Sequence, residues 1–171
     1  NVPENYNSLL VGSRLLLPLS YILNGVLSPI LPFALSKINV DILMQTPIAS
    51  IWMFSRVFIV CCMSWIPIWH GKWSILFVGL ISMSIGLLSI FLTMNMTMLV
   101  FGLILFGIGM GITYYTAIYY GLAVGRAKVE AGGMHEALIG GGYMFGPIVG
   151  LTTLKFDSEV NSDIFLPLSI A

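Results

Sequence analysis

Charged residues are scarce in this sequence, and the few that occur form no basic cluster. Asp, Glu, Lys and Arg make up 8% of the 171 residues, against roughly a quarter in soluble domains. The formal net charge is zero, so the positive surface that attracts nucleic acid is missing. Apolar residues reach 58%, which is more than a soluble protein can hide from water. The composition predicts a membrane protein and argues against nucleic acid as a partner.

Cysteine is also rare. The two cysteines, Cys61 and Cys62, are neighbours in a hydrophobic run. A disulfide between adjacent residues would be strained, and a metal ion would lack its other ligands there. We interpret both residues as buried thiols of a membrane helix, and we predict neither a metal site nor a cofactor.

Long hydrophobic runs dominate the chain. A membrane-spanning helix needs about 20 mainly apolar residues, because the hydrocarbon core is about 30 Å thick. The sequence therefore predicts an all-α, polytopic transmembrane bundle. Since the chain begins at Asn1 rather than Met, with no signal peptide before Leu9, we expect it to be an internal piece of a longer protein. The predicted spans within this domain are residues 9–35, 47–69, 74–94, 97–124 and 134–154, followed by a partial span at 164–171.

The distribution of basic residues predicts the orientation of the chain. Short cytoplasmic loops are enriched in Lys and Arg. Lys72 lies in one interhelical loop, and Arg126 and Lys128 lie in another, whereas the turn near Asn95 carries no charge. We expect these two basic loops and residues 1–8 to face the cytoplasm.

The first span contains residues that disturb a helix. Pro18, Pro29 and Pro32 each free a backbone carbonyl, which in lipid must find another partner or face a water-filled cavity. With the polar Asn24 beside Gly25, the pattern predicts a bent or broken helix, as at many transport sites. A plain packing kink is the alternative interpretation. We place Asn24 among the candidate cavity residues.

The fourth span carries small and aromatic residues at a spacing of four. The small ones form a ridge that another helix can approach closely. Tyr115 and Tyr119 lie on roughly the opposite face, where their hydroxyls suit a cavity. An aromatic belt at the membrane surface is the alternative for these tyrosines. The ridge consists of Gly109, Thr113, Ala117, Gly121 and Gly125.

Arg56 lies about ten residues into the second span, near the middle of the membrane. A charge at that depth costs a few kcal/mol or more, so it needs a partner or water. No acidic residue is expected at the same depth. Three interpretations remain open: an ion pair with a structural or gating role, a contact with an anionic substrate, or a side chain that faces a cavity or snorkels. Arg14, nearer the end of its span, is expected to snorkel.

The segment "AGGMHEALIGGGYMFGPIVG" contains a pattern of glycines and one proline. Gly133, Gly142, the pair Gly146-Pro147 and Gly150 follow one another at spacings of nine, four and four residues. This pattern resembles the glycine-proline signature of the fifth helix in proton-coupled antiporters of the major facilitator superfamily, except that the signature has a second glycine where Leu151 stands. With "GIGMGITYYTAIYYGLAVGRAKVEAGGMHEALIG" and "WIPIWHGKW", the chain looks like the carboxyl-terminal half of a bacterial member.

This resemblance implies that the spans are helices seven to eleven and the start of helix twelve. It implies a secondary transporter of the bacterial inner membrane that moves a small solute by alternating access, coupled to protons or another ion. The missing amino-terminal six-helix half would then be the partner. Pro147 and the glycines would shape the moving helix, and Glu136 could hold Arg126 or Lys128 in a closed gate.

Two other classes of function remain open. A membrane sensor or scaffold can be built on the same helices without transport. An intramembrane enzyme is less favoured, because "HEALI" lacks the second histidine of a zinc protease helix and no serine–histidine pair occurs at matching depth. We therefore expect no enzymatic activity.

Overall fold

The computed structural model describes Pro3, residues 5–125 and residues 129–160, and over these residues it is helical without any strand. The expected all-α fold is thereby confirmed for this part of the chain. The partial span 164–171 and the gate partners Arg126 and Lys128 lie outside the described residues. The elements are α1 (Asn5–Lys37), α2 (Ile42–Ala49), α3 (Ile51–Trp65), a 3-10 turn (Pro67–Trp69), α4 (Ser74–Phe91), α5 (Met96–Gly125) and α6 (Val129–Val160).

Within the described residues, four helical stretches are long and apolar enough to cross a membrane, which indicates a membrane protein. They are Asn5–Lys37, Ile42–Trp65, Ser74–Phe91 and Met96–Val124. The second stretch joins α2 and α3 and ends before Pro67, which begins the 3-10 turn. The predicted fifth span, 134–154, lies within α6, which is not among these four, and its crossing of the membrane stays a prediction.

α1 is one uninterrupted helix through its three prolines. The sequence suggested a helix bent or broken near these residues, and the structure shows no break. A proline inside a membrane helix removes one backbone hydrogen bond, but a neighbouring helix can compensate for the loss. In this bundle α6 packs along α1 over the stretch that contains Pro18 and Pro29.

α1 and α6 touch backbone to backbone. A Cβ atom added to Gly146 would lie 2.6 Å from the Cα of Gly25, and one added to Gly25 would lie 2.6 Å from the Cα of Gly146. Real Cβ atoms do not approach that closely, so only glycine fits on either side of this contact. The two helices therefore meet where both lack a side chain, as in other close pairs of membrane helices.

The register between α1 and α6 is parallel and repeats every four residues. A glycine has a hydrogen atom where other residues have the Cβ atom. In the three α6 glycines at this interface, that Cα–H bond points at a carbonyl oxygen of α1. Such C–H···O contacts recur at close helix interfaces. The pairs, in order along both helices, are Gly142 with Pro18, Gly146 with Ile22 and Gly150 with Val26.

α5 is the central helix and packs between α3 and α4. Added Cβ atoms at Gly102 and Gly109 would lie 2.9 Å and 2.5 Å from backbone atoms of α4, whereas Gly107 and Gly111 face α3. The predicted ridge of small residues on α5 therefore faces two different helices. Gly109 and Thr113 meet α4, and farther along α5 the residues Ala117 and Gly121 line a gap toward α6.

The start of α1, the loop between α3 and α4 and the final turns of α5 lie at one end of the bundle. The side-chain amide of Asn5 donates to the carbonyl of Gly71 at 2.7 Å, and the Tyr120 hydroxyl accepts from the Gly71 backbone N–H at 3.0 Å. We call this the Tyr6 end, after the tyrosine of α1 in the same cluster. The sequence predicts that this end faces the cytoplasm.

Gly146→Ala is expected to lower the apparent melting temperature in detergent micelles. The new methyl group would collide with backbone of α1, and overpacking typically costs about 1–3 kcal/mol. Gly140→Ala is the matched control on the same helix, since its Cβ meets nothing within 4 Å. The control should be neutral or should stabilise the helix by up to about 1 kcal/mol. Equal melting temperatures for the two variants would contradict the close contact.

Candidate functional site

Arg56 is half-buried on α3, and its guanidinium lies against two tyrosine rings. Its Nη2 atom donates a hydrogen bond to the Tyr21 hydroxyl at 2.8 Å. The guanidinium carbon lies 4.6 Å from the ring centroid of Tyr114 and 5.7 Å from that of Tyr21. Ring faces attract cations, most strongly where water is excluded. Among the described residues, hydroxyl and ring groups compensate the charge of Arg56, and no carboxylate contacts it.

Glycines of α5 bring Arg56 to this position. A Cβ atom at Gly111 would lie 2.8 Å from the backbone oxygen of Arg56, so the absence of a side chain lets α3 lie against α5. One turn farther along α5, Tyr114 then extends over the guanidinium face. The neighbouring Tyr115 points to another cluster, so the order of residues along α5 decides which ring meets the cation.

Asn24 continues the polar contacts from α1 to α6. Its Nδ2 atom donates to the Tyr143 hydroxyl at 3.1 Å. The ring of Tyr143 meets the ring of Tyr21 edge to face, with centroids 5.0 Å apart. Tyr21 thus contacts both Arg56 and Tyr143, and Asn24 lies one helical turn beyond it on α1. Asn24 itself is buried.

After Arg56 of α3, His135 of α6 is the second basic side chain at this site. Its ring packs edge to face on Tyr114 at 5.4 Å, on the α5 tyrosine that also covers Arg56. Its Nε2 atom is buried without a hydrogen bond, the one such side-chain atom among the described residues. We call the whole set the arginine–tyrosine cluster; its members are Tyr21, Asn24, Arg56, Tyr114, His135 and Tyr143.

A cavity of about 480 Å³ opens beside this cluster. Asn24 and Tyr143 form part of its wall, together with residues of α1, α2, α3 and α6. Arg56 does not line the cavity and lies behind Tyr21, which touches both Arg56 and Tyr143. A solute in the cavity would therefore meet Asn24 and Tyr143 first. The remaining polar wall residues are Ser28, Gln45 and Thr46.

Tyr115 and Tyr119 lie elsewhere, at the Tyr6 end. The ring of Tyr119 stacks on that of His70 with centroids 4.4 Å apart, and its hydroxyl lies 3.4 Å from the Tyr6 hydroxyl. Tyr115 packs edge to face on Trp69 at 5.7 Å. The structure thus brings these two predicted cavity residues into one aromatic cluster, and it does not bring them to Asn24 or Arg56.

The predicted gating residues on α6 fall into three environments. Gly142, Gly146 and Gly150 pack on α1, and Pro147 lines the cavity beside Gly25. An added Cβ at Gly133 would meet nothing within 4 Å. Glu136 is exposed and lines a second, smaller cavity of about 260 Å³ between α5 and α6, together with His135.

Sequence reasoning missed three tyrosines of the arginine–tyrosine cluster. Tyr21, Tyr114 and Tyr143 show no motif, and tyrosine is ordinary in membrane helices. The only available signal was the depth of Tyr21, Arg56 and Tyr143 in their predicted spans, near the middle of each. No three His, Cys, Asp or Glu side chains come together in the described part of the chain to hold a metal ion.

The hydrogen bond between Arg56 and the Tyr21 hydroxyl should appear as an energetic coupling, since Tyr21→Phe removes the hydroxyl and keeps the ring. In a double-mutant cycle with Tyr21→Phe and Arg56→Gln, we expect a coupling of about 1–2 kcal/mol, measured by unfolding in detergent micelles. The cycle of Tyr6→Phe with Arg56→Gln is the control. Tyr6 lies in the cluster at the other end of the helices, so its effect should be additive. Additive effects in both cycles would contradict the contact.

Comparisons with known proteins found no match to this sequence. No protein-family model matches this sequence, and no curated protein or solved structure matches it.

Proposed function

We propose that this chain is half of a secondary transporter that moves a small anionic solute across a membrane by alternating access. One observation carries the proposal: a half-buried guanidinium, in the middle of a helix that could span a membrane, whose described partners are neutral. A protein gains little stability from burying such a charge, so a functional role is the stronger explanation. A substrate anion would supply the negative charge.

The geometry of Arg56 suits a carboxylate or phosphate. A guanidinium binds these groups in its own plane through pairs of N–H donors, while aromatic rings cover its faces. Of five N–H donors, one is used on Tyr21. The other guanidinium N–H groups have no hydrogen-bond partner among the described residues, and the side chain is half-buried. In-plane donors are thus left over for an anionic group.

The packing of α1 and α6 supports movement. A helix pair joined by glycine contacts without interlocking side chains can slide or rock between two arrangements, which alternating access requires. Asn24 and Tyr143 bridge the same pair and face the large cavity, so a movement of α6 would open or close that wall. The resemblance to the major facilitator superfamily adds an amino-terminal six-helix partner, a coupling ion and a bacterial inner membrane to the proposal.

The first test is the reading frame around this segment, followed by flux measurements on the full protein in proteoliposomes. Sequencing in both directions shows whether about six further spans belong to the same chain. Uptake of radiolabelled carboxylates and phosphate monoesters down a proton gradient then tests transport. Binding of such a solute without flux would favour a sensor or scaffold instead.

Arg56→Lys is expected to raise the KM for an anionic solute by at least about tenfold, because lysine retains the charge but loses the bidentate fork. Arg14→Lys is the matched control, since no side chain or backbone group in the described part of the chain hydrogen-bonds to the Arg14 guanidinium. The measurement is initial uptake as a function of solute concentration in proteoliposomes. An unchanged KM for Arg56→Lys would remove Arg56 from the substrate site.

Glu136→Gln tests the proposed gate at the start of α6. Loss of the carboxylate should change the transport rate at saturating solute, because the closed arrangement would lose its charge contact. Thr152→Val, an exposed substitution near the other end of α6, is the control. If the Glu136→Gln protein transports with the kinetics of the unmodified protein, Glu136 has no gating role.

A further inference from the structure

A groove between α3 and α4 has no part in the proposed transport site. It encloses about 400 Å³ and lies at the end of the two helices nearest the Tyr6 end. Its walls are apolar except at the mouth, where Lys72 and Ser74 stand. The apolar walls comprise Ile59, Cys62, Met63, Ile66, Ile68, Trp69, Ile75 and Val78.

The groove exists because α3 and α4 both pack on α5 but hardly on each other. Pro67 follows the end of α3, and the 3-10 turn carries the chain sideways before α4 begins. The indole of Trp69 is buried and its Nε1 donates to the Met63 carbonyl at 3.0 Å, which fixes the turn against α3. The gap between the helices is therefore held open by a rigid connection.

The groove opens on the outer surface of the bundle. Ile66 is 50% exposed, Ile68 71% and Val78 51%, although all three are apolar. Trp69 lines the groove next to Lys72, and tryptophan is enriched at the level of lipid headgroups. From Ile59 to Ile66 the wall runs about 10 Å inward from that level, at 1.5 Å per residue. An acyl chain entering at the mouth would lie along this wall.

Lys72 gives the groove its selectivity. It is exposed at the mouth, and no carboxylate among the described residues pairs with it. A single cation at the open end of an apolar channel complements an amphiphile with one anionic end. A Lys near the surface attracts anionic lipid by about 1 kcal/mol. A zwitterionic headgroup carries its own cation and gains less.

We propose that this groove binds one anionic phospholipid, with an acyl chain between α3 and α4 and the phosphate at Lys72 and the Ser74 hydroxyl. The site is independent of the proposed transport function. It would have a structural consequence, because the bound chain would fill the gap beside α3, the helix that carries Arg56.

Native mass spectrometry of the purified protein tests the site. The protein in detergent micelles is titrated with phosphatidylglycerol or with phosphatidylcholine of the same acyl chains. We expect tighter binding of phosphatidylglycerol, and Lys72→Gln should weaken it about fivefold while weakening phosphatidylcholine binding less. Lys37→Gln, an exposed lysine in the last turn of α1 at the other end, is the matched control and should keep the preference.

Val78→Trp tests the apolar part of the groove. Val78 is half-exposed, so the larger side chain can be accommodated, and it should block the groove and lower retention of both lipids. The proposal is overturned if Lys72→Gln keeps the preference, if Lys37→Gln loses it equally, or if Val78→Trp retains both lipids. A melting temperature equal to that of the unmodified protein in lipid-free micelles shows that each variant is folded.

Discussion

Close approach between helix backbones is the constraint on which this bundle depends. Lipid tails are as apolar as the side chains, so the hydrophobic effect does not drive helices together inside a membrane. Attraction must come from van der Waals contact and from weak hydrogen bonds, which require short distances. Glycines supply them at three interfaces, between α1 and α6, between α3 and α5 and between α4 and α5. In α5 they alternate between two faces, which makes this helix the centre.

The same contacts determine where the polar groups meet. Gly111 allows α3 to lie against α5, which places Arg56 beneath Tyr114, and the glycines of α6 bring Tyr143 to Asn24 and Tyr21. Each tyrosine offers an apolar ring for the packing and a hydroxyl for a neighbouring polar group. Among the described residues, a half-buried charge is thus compensated by hydroxyl and ring groups without a carboxylate.

The connection between α3 and α4 organises the Tyr6 end. Gly71, at a φ of 70°, makes the turn that lets its N–H reach Tyr120 and its carbonyl reach Asn5. One short loop therefore joins α1, α5 and the α3–α4 pair, while Trp69 and Lys72 of the same loop line the groove between α3 and α4. The aromatic cluster and the groove therefore both adjoin the same loop.

The sequence by itself determined that the fold is helical, because a backbone in lipid must satisfy its own hydrogen bonds. It also gave the approximate position of most helices, because the length of each apolar run matches the thickness of the membrane. It also singled out Arg56 as an unusual charge and a set of α6 glycines, of which Gly142, Gly146 and Gly150 pack on α1 and Gly133 meets no neighbour. It did not determine their partners. Periodicity shows which residues share a face but not which helix that face meets, so the sequence could not show which of Tyr114 and Tyr115 contacts Arg56. The prolines of α1 suggested a break that the helix does not have. Only the tertiary structure decided these points, because contacts between helices depend on distances of a few tenths of an ångström across residues far apart in the chain.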